Sequence, residues 1–147
     1  MNEDFLIQID GKIETDDSED DTVQLMTRGG FVKKNGCYYI VYKETEATGY
    51  AGCTTTVKVE QDESRVTMTR FGTCSSQLII EKGVRHLCHY DVGGAALTLG
   101  VAADEIHNHL TDEGGQVDFS YTLDSDREMM LSRNLVTIKV RRAESSC

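Results

Sequence analysis

Glu44 and Arg70 are the residues of this sequence whose types and positions could build a buried polar site. Each lies in a segment where apolar and polar residues alternate, which is the pattern of a β-strand with one face on a core. Lys43 should face solvent, so Glu44 shares the inner face with Tyr42. In the second segment Arg70 follows Met68 at the same parity. An acid and a base inside an apolar core must be paired, because an unpaired buried charge costs several kcal/mol.

The same parity argument adds two polar side chains to this interior. Tyr121 shares a face with Phe119, and Asn134 shares a face with Val136 near the start of the last predicted strand. The predicted interior polar cluster therefore consists of Tyr42, Glu44, Arg70, Tyr121 and Asn134. Buried polar groups need hydrogen-bond partners, so these five side chains must satisfy one another or a bound molecule.

Three interpretations of the interior polar cluster remain open. In the first, Glu44 and Arg70 form a hydrogen-bonded pair that plugs one end of a barrel. In the second, the barrel holds one small ligand, with Arg70 facing an anionic group and Glu44 orienting it. In the third, Glu44 is a general base, but pairing with a guanidinium favours the ionised carboxylate, which is the wrong direction for such a base. We therefore assign no catalytic residue.

A histidine pair offers a second candidate site. His107 and His109 are two residues apart and share a face if that segment is a strand, with Asp104 and Glu105 close in sequence. Two histidines do not complete a metal site, and a surface pair beside acidic residues is commoner, so we expect no bound metal. The sequence also lacks the phosphate-binding, dinucleotide, metalloprotease and serine-hydrolase motifs, and we expect no cofactor.

Charge and composition exclude several partners. The net charge is −10, and no basic cluster is longer than Arg141-Arg142, so nucleic acid is not an expected partner. No apolar run approaches the ~20 residues of a membrane span, and the sequence starts without a signal-peptide pattern, so we expect a cytoplasmic protein off the membrane. Five cysteines without a C-x-x-C pair indicate reduced thiols. The protein could be a monomer or a homodimer.

Alternation with a period of two runs through nearly the whole chain and predicts short strands separated by turns. Asn35-Gly36 is a strong hairpin signal, and Gly29-Gly30 predicts a bulge or a sharp corner of a barrel. Residues 103–112 are ambiguous between helix and strand, and we favour a strand. The predicted strands cover about 4–15, 22–34, 37–44, 53–59, 65–71, 76–82, 84–90, 95–102, 117–123 and 129–141.

These elements predict an all-β fold. Sequential antiparallel strands with hairpin-length turns favour a single closed meander barrel of about eight to ten strands over a two-sheet sandwich, because closure removes exposed edges. The absence of proline suits strands that are paired on both sides. We expect residues 1–147 to form one domain with a core over about 4–142, and the N-terminal residues and the tail 143–147 to be flexible.

Three segments carry a resemblance to a known family. VYKETEATGYAGCTTTVKVEQDESRVTMTRFG, GGQVDFSYTL and RNLVTIKV resemble the YwiB-like family of uncharacterised Gram-positive bacterial proteins, over about residues 6–140. The most telling positions are Tyr42-x-Glu44, Arg70-x-Gly72, Gly115 with Tyr121, and Asn134. The resemblance implies a lipocalin-like, or calycin-like, barrel and supplies neither a reaction nor a ligand.

Residues and resemblance together lead to one expectation about function. We expect a non-catalytic bacterial barrel that binds a small, anionic ligand in or at the mouth of the barrel. The alternative is a structural or regulatory interaction barrel with a filled core, and an enzyme using a buried carboxylate comes third. An internal cavity beside Glu44 and Arg70 distinguishes the first of these from the second.

Overall fold

The computed structural model describes residues 4–16, 19–48, 50–73, 75–92, 95–125 and 130–143, and Cys74 and Cys147 lie outside these ranges, as do residues 1–3 and 144–147. Within the described ranges the chain forms ten strands and one 3₁₀ helix, Glu46–Thr48. The strands are β1 Phe5–Glu14, β2 Asp21–Lys34, β3 Cys37–Lys43, β4 Cys53–Glu60, β5 Arg65–Gly72, β6 Ser75–Glu81, β7 Arg85–Val92, β8 Ala95–Thr111, β9 Gly114–Ser125 and β10 Met130–Arg142.

The strands form a closed antiparallel meander barrel. Each strand pairs with the next along the chain, and β1 pairs with β10 in an unbroken register from Phe5 opposite Arg142 to Glu14 opposite Arg133. The all-β, closed-barrel prediction is therefore confirmed. Closure by the two terminal strands satisfies backbone groups that would otherwise form two exposed edges.

The barrel interior is filled at one end by aromatic and aliphatic side chains. Phe31 packs edge-on against Phe5, with ring centroids 5.3 Å apart, and stacks on Tyr38 at 5.8 Å. These rings lie around the β2–β3 turn, where Asn35 and Gly36 adopt φ values of 54° and 77°. Such angles are those of a two-residue hairpin turn, as the sequence predicts. The opposite end of the barrel, where β3 and β5 finish, carries the polar residues.

Gly29 marks the point where β2 passes from one partner strand to the other. Gly29 pairs with Phe5 of β1 and with Tyr42 of β3, and neither pairing has a register shift. The structure therefore has no bulge at Gly29. A Cβ at Gly29 would lie 2.3 Å from the carbonyl oxygen of Val41 and 2.4 Å from Cδ1 of Ile7, so the close approach of neighbouring atoms requires glycine.

Residues 103–112 belong almost entirely to β8, which confirms the strand prediction. The register of β8 against β9 shifts between Ala103 and Glu105. The extra residue switches parity, so that Val101 before the bulge and Ile106 after it both point into the core. Ile106 and Leu110, whose spacing of four also suits a helix, both follow the bulge and share the inner face, because an even spacing keeps two strand residues on one face.

The β6–β7 seam, defined here as the facing sides of these two strands, is weakly paired. Only Ser75 with Asp91 and Ser76 with Tyr90 are in register, although the strands are seven and eight residues long.

Cys37, Cys53 and Cys88 are buried free thiols. The described part of the chain contains no helix that combines the length and the apolar character of a membrane span.

Candidate functional site

The interior polar cluster gathers at one end of the barrel. Tyr42, Thr55 and Arg70 are register neighbours across β3, β4 and β5, and Tyr121 is paired with Asn134 across β9 and β10. Strand pairing therefore brings side chains that are far apart in sequence to one level of the barrel. All five predicted residues of the cluster line one cavity of about 310 Å³.

Glu44 is held by a dense set of hydrogen bonds. Its backbone N–H donates to the carbonyl oxygen of Cys53 at 2.8 Å, which fixes the chain just beyond β3. Its Oε1 accepts hydrogen bonds from Thr55 Oγ1 at 2.7 Å and Arg70 Nη2 at 3.3 Å. Its Oε2 accepts from Thr48 Oγ1 at 2.5 Å. The Glu44 side chain is only 1% exposed, so hydrogen bonds from the surrounding protein wall replace those that the carboxylate would make with water.

Arg70, on β5, forms the other part of this wall. Besides its ion pair with Glu44, its Nε donates to Thr55 Oγ1 at 3.3 Å, and Tyr50 stacks on the guanidinium with 3.8 Å between the guanidinium carbon and the ring centroid. A ring face stabilises a cation through its quadrupole. The single hydroxyl of Thr55, which is fully buried, bridges the two charges because it donates to Glu44 and accepts from Arg70.

Thr48, Tyr50 and Thr55 are site residues that the sequence prediction missed. Thr55 had a usable signal, because the alternation from Cys53 to Val59 places it on the inner face of β4. Thr48 and Tyr50 had none, because they lie in the connection between β3 and β4, which contains only a three-residue 3₁₀ helix and no periodic pattern.

The two tyrosines of the cluster are neutral hydrogen-bonding groups. Burial raises the pKa of Tyr42 well above its ordinary value, and the negative charge of Glu44 adds to the rise. Burial raises the pKa of Tyr121 to about 12, although Arg70 opposes the shift. Both phenols thus keep their protons at neutral pH and can donate hydrogen bonds.

Asn134 and Tyr121 present polar atoms to the cavity. Asn134 Nδ2 donates to Ser132 Oγ at 3.0 Å, and both side chains are buried. Among the residues that the structure describes, Asn134 makes no other side-chain hydrogen bond and the Tyr121 hydroxyl makes none. In the described residues, every fully buried side-chain nitrogen or oxygen has a hydrogen-bond partner. The Tyr121 hydroxyl, which has no partner, is therefore not fully buried and is accessible from the cavity. The cavity therefore offers hydrogen-bonding groups that the described protein does not use.

The rest of the lining is apolar with one further cation. Aliphatic side chains from β1, β2, β6, β9 and β10 supply the apolar part of the lining. Lys12 stands at the rim, half-exposed, with its Nζ 3.4 Å from Asp20 Oδ2 and 4.0 Å from Glu14 Oε2. Both carboxylates lie within ion-pair distance of Lys12, so its charge is already compensated and adds no net positive charge to the cavity.

The candidate histidines lie away from this cavity. His107 and His109 are on the outer, exposed face of β8, and His107 Nε2 is 3.6 Å from Glu105 Oε2. Throughout the described ranges, no group of three or more histidine, cysteine or acidic side chains is placed to hold a metal ion. The structure does not join this pair to the interior polar cluster.

Fold and site together define a class of protein: a ten-stranded antiparallel meander barrel, filled at one end and with a partly polar cavity at the other. Residues 7–138 match the family described as Domain of unknown function (DUF1934), and the chain belongs to this family. The crystal structure of the ywiB protein from Bacillus subtilis is similar, with a TM-score of 0.81, 21% identity, and coverage of 95% of this chain and 92% of that one.

The family match and the structural similarity confirm the resemblance to YwiB-like proteins. At 21% identity the structural likeness establishes the shared fold alone. A comparison with the curated proteins finds no match.

Proposed function

We propose that this protein is a non-catalytic, cytoplasmic bacterial barrel that binds one small, anionic molecule in the cavity at the polar end. The observation that carries the proposal is the unused hydrogen-bonding capacity of Tyr121 and Asn134. Both are buried in the barrel wall, and both have hydrogen-bonding capacity that no described residue uses. Because these polar atoms face the cavity, a ligand with matching polar groups can take the place of water there.

Size and the hydrogen-bond donors of the lining support a small acid. About 310 Å³ lies at the small end of the range of ligand cavities, roughly 300–1,000 Å³. The lining carries the guanidinium of Arg70, which is paired with Glu44, and the neutral donors of Tyr121 and Asn134. Guanidinium, hydroxyl and amide N–H groups are donors that suit the oxygens of an anion.

The bonding of Glu44 argues against catalysis. Both of its oxygens accept hydrogen bonds from the protein, and one of the donors is a guanidinium. A general base must instead be within hydrogen-bond reach of a substrate proton and ready to accept it. Glu44 is better suited to hold Arg70 in position than to react.

Native mass spectrometry of protein purified from its own host tests the proposal. We expect a non-covalent mass that disappears on denaturation and is depleted in Asn134→Leu and Tyr121→Phe variants. Tyr39→Phe is the matched control, because it makes the same chemical change on the outer face of β3 and should keep the bound mass. A wild-type protein without bound mass, which also binds no member of a metabolite panel, would refute ligand binding.

A second candidate function is self-association, and one observation favours it. Phe71 and Leu87 are 53% and 60% exposed and line a surface groove of about 470 Å³ beside the β6–β7 seam. Exposed apolar side chains next to weakly paired strands are typical of protein contacts. The same native spectra should then show a homodimer that Leu87→Lys converts to a monomer; a monomeric wild-type protein excludes this function.

A further inference from the structure

We infer that the ligand is an amphiphile, with its polar head in the cavity and an apolar chain that runs through the β6–β7 seam into the seam groove. The seam groove is the surface groove of about 470 Å³ that Phe71 and Leu87 line. The inference rests on the proposed function, because it names the chemical class of molecule that the same cavity binds. Such a molecule uses two spaces, the cavity of about 310 Å³ and the seam groove.

The seam groove reaches both faces of the barrel wall. On its outer part, Phe71 and Leu87 point to solvent and are 53% and 60% exposed. Its lining also includes Arg70, Ser76 and Cys88, although strand parity turns these three side chains toward the interior. A groove on the outside of an intact sheet is lined by outward-facing residues alone, because alternate side chains point to opposite faces. The seam groove therefore passes between β6 and β7 into the wall.

Backbone pairing closes this passage at its two ends only. Two register pairs join β6 to β7 at one end, and the bridge from Glu81 to Val84 closes the other end. Between these ends the described residues form no ladder pair, and the Cys88 thiol accepts the backbone N–H of Ile79. A chain that passes here displaces side chains and one weak hydrogen bond to sulfur. At the other strand pairings of the barrel it would have to break a backbone ladder.

The seam groove and the cavity share a boundary. Arg70 lines both spaces. Leu78, two residues beyond the groove residue Ser76 on the inner face of β6, lines the cavity. The guanidinium of Arg70 is bonded to Glu44 and Thr55, so Arg70 is a fixed point between the two spaces. A ligand that fills both spaces passes Arg70, with its head among the polar groups of the cavity and its chain toward Leu87.

The surface of the seam groove suits a hydrocarbon chain. Phe71, Ile79, Leu87 and Ala96 contribute apolar side chains from four adjacent strands. None of the described residues that line the groove is acidic, although the protein has 25 acidic residues among 147. Contiguous exposed apolar surface is unfavourable in water, and a chain that covers it gains affinity in proportion to the area removed from water.

The cavity alone is too small for a long chain. At about 30 Å³ for each water-sized group, it holds about ten groups, roughly an eight-carbon acid. Each further CH₂ must lie either in the seam groove or in water. A CH₂ that is fully buried raises affinity up to about fourfold, whereas one that stays in water adds nothing. The dependence of affinity on chain length beyond eight carbons therefore reports use of the groove.

Calorimetric titration with straight-chain acids of six, eight, ten and twelve carbons, below micelle formation, tests the inference. The head group is the same throughout, so differences in affinity report the chain alone. We expect affinity to rise about 2.5-fold for each CH₂ beyond eight carbons, because the open groove buries each CH₂ only in part. The twelve-carbon acid should then bind about 40-fold more tightly than the eight-carbon acid.

Variants of the groove separate its role from that of the cavity. Leu87→Ser and Phe71→Ser should each weaken the twelve-carbon acid at least about fivefold, and should leave the six-carbon acid unchanged because that acid fits in the cavity. Both side chains are largely exposed, so the fold should tolerate the changes. Met26→Ser is the matched control, because Met26 is 58% exposed on β2 and does not line the groove. It should leave both affinities unchanged.

The outcomes distinguish this inference from the proposed function. A plateau in affinity beyond eight carbons, or equal effects of Leu87→Ser and Met26→Ser, overturns the amphiphile and leaves a ligand-binding cavity in place. A homodimer that Leu87→Ser converts to a monomer, with no change in affinity for the twelve-carbon acid, assigns the groove to a second copy and also overturns the amphiphile alone. A native bound mass without binding of any acid in the series does the same. Absence of both bound mass and acid binding overturns the proposed function as well.

Discussion

Arg70 Nη2 lies 3.3 Å from Glu44 Oε1, and the two side chains are 12% and 1% exposed. This ion pair is therefore nearly dry, and each partner offsets the desolvation of the other. Removing one charge leaves the other buried without compensation, whereas removing both leaves an apolar site. The two residues should thus show strong energetic coupling.

We predict that Glu44→Leu and Arg70→Leu each lower the free energy of unfolding by about 3 kcal/mol, and that the double variant loses much less than the sum. Urea denaturation of the wild type, both single variants and the double variant measures the coupling. Additive losses across this cycle would show that the pair contributes no interaction energy.

Thr55 connects the same two residues through one buried hydroxyl, which donates to Glu44 and accepts from Arg70. Thr55→Val keeps the shape of the side chain and removes both bonds, so we predict a loss of about 2 kcal/mol in the free energy of unfolding. Thr56→Val is the control, because Thr56 is the next residue of β4 and points outward. It should change stability by less than about 0.5 kcal/mol. Equal effects at both positions would remove the special role of Thr55.

Gly29 should be far less tolerant of alanine than Gly11. A Cβ at Gly29 meets the Val41 carbonyl oxygen at 2.3 Å, whereas a Cβ at Gly11 has no neighbour closer than 3.9 Å. We predict that Gly29→Ala costs about 2–3 kcal/mol, and that Gly11→Ala is neutral or stabilises by up to about 1 kcal/mol. Thermal and denaturant unfolding of the two variants give the comparison. A Gly29→Ala protein as stable as Gly11→Ala would contradict the close approach seen at β2.

Strand alternation carried most of the information that the sequence holds about this fold. The inward parity of Glu44, Arg70, Tyr121 and Asn134 follows from their neighbours, since a period of two assigns every side chain to one face. Two register shifts among the described strands, between Ala103 and Glu105 and between Met130 and Ser132, interrupt this alternation. A single inserted residue reverses all later positions, and no residue type marks it reliably.

The assembly of the site depended on information that alternation lacks. Parity shows that Tyr121 and Asn134 point inward, and only the strand register shows that they are direct neighbours. Tyr50 stacks on Arg70 from the connection after the 3₁₀ helix, where no periodic pattern exists. The cavity volume is also a property of all the packed side chains together, so no local segment of sequence encodes it.

Tyr121 should make stability fall at high pH. Burial raises its folded-state pKa to about 12, above an unfolded value of about 10, so the folded protein holds the proton more tightly. This contribution is complete below about pH 10 and is lost as the pH rises toward 12, up to about 2–3 kcal/mol in all. Tyr121→Phe should therefore show a shallower decline in unfolding free energy between pH 9.5 and 11.5. Superimposable profiles for the variant and the wild type would contradict the shift.

The β6–β7 seam should open more readily than the rest of the barrel. It has two register pairs, whereas β8 and β9 are joined by twelve. Glu81 is bridged to Val84, and the backbone N–H of Ile79 donates to the Cys88 thiol. The other backbone amides of residues 77–80 and 85–89 that face the seam lack ladder partners there, while those facing β5 or β8 are paired. We predict that hydrogen exchange in these two segments splits into alternating fast and slow amides, with the fast set at least about 100-fold faster than amides of β8 and β9. The β8–β9 ladder is the internal control in the same spectrum. Uniform protection of both segments, equal to that of β8 and β9, would mean that the seam is closed by hydrogen bonds in solution.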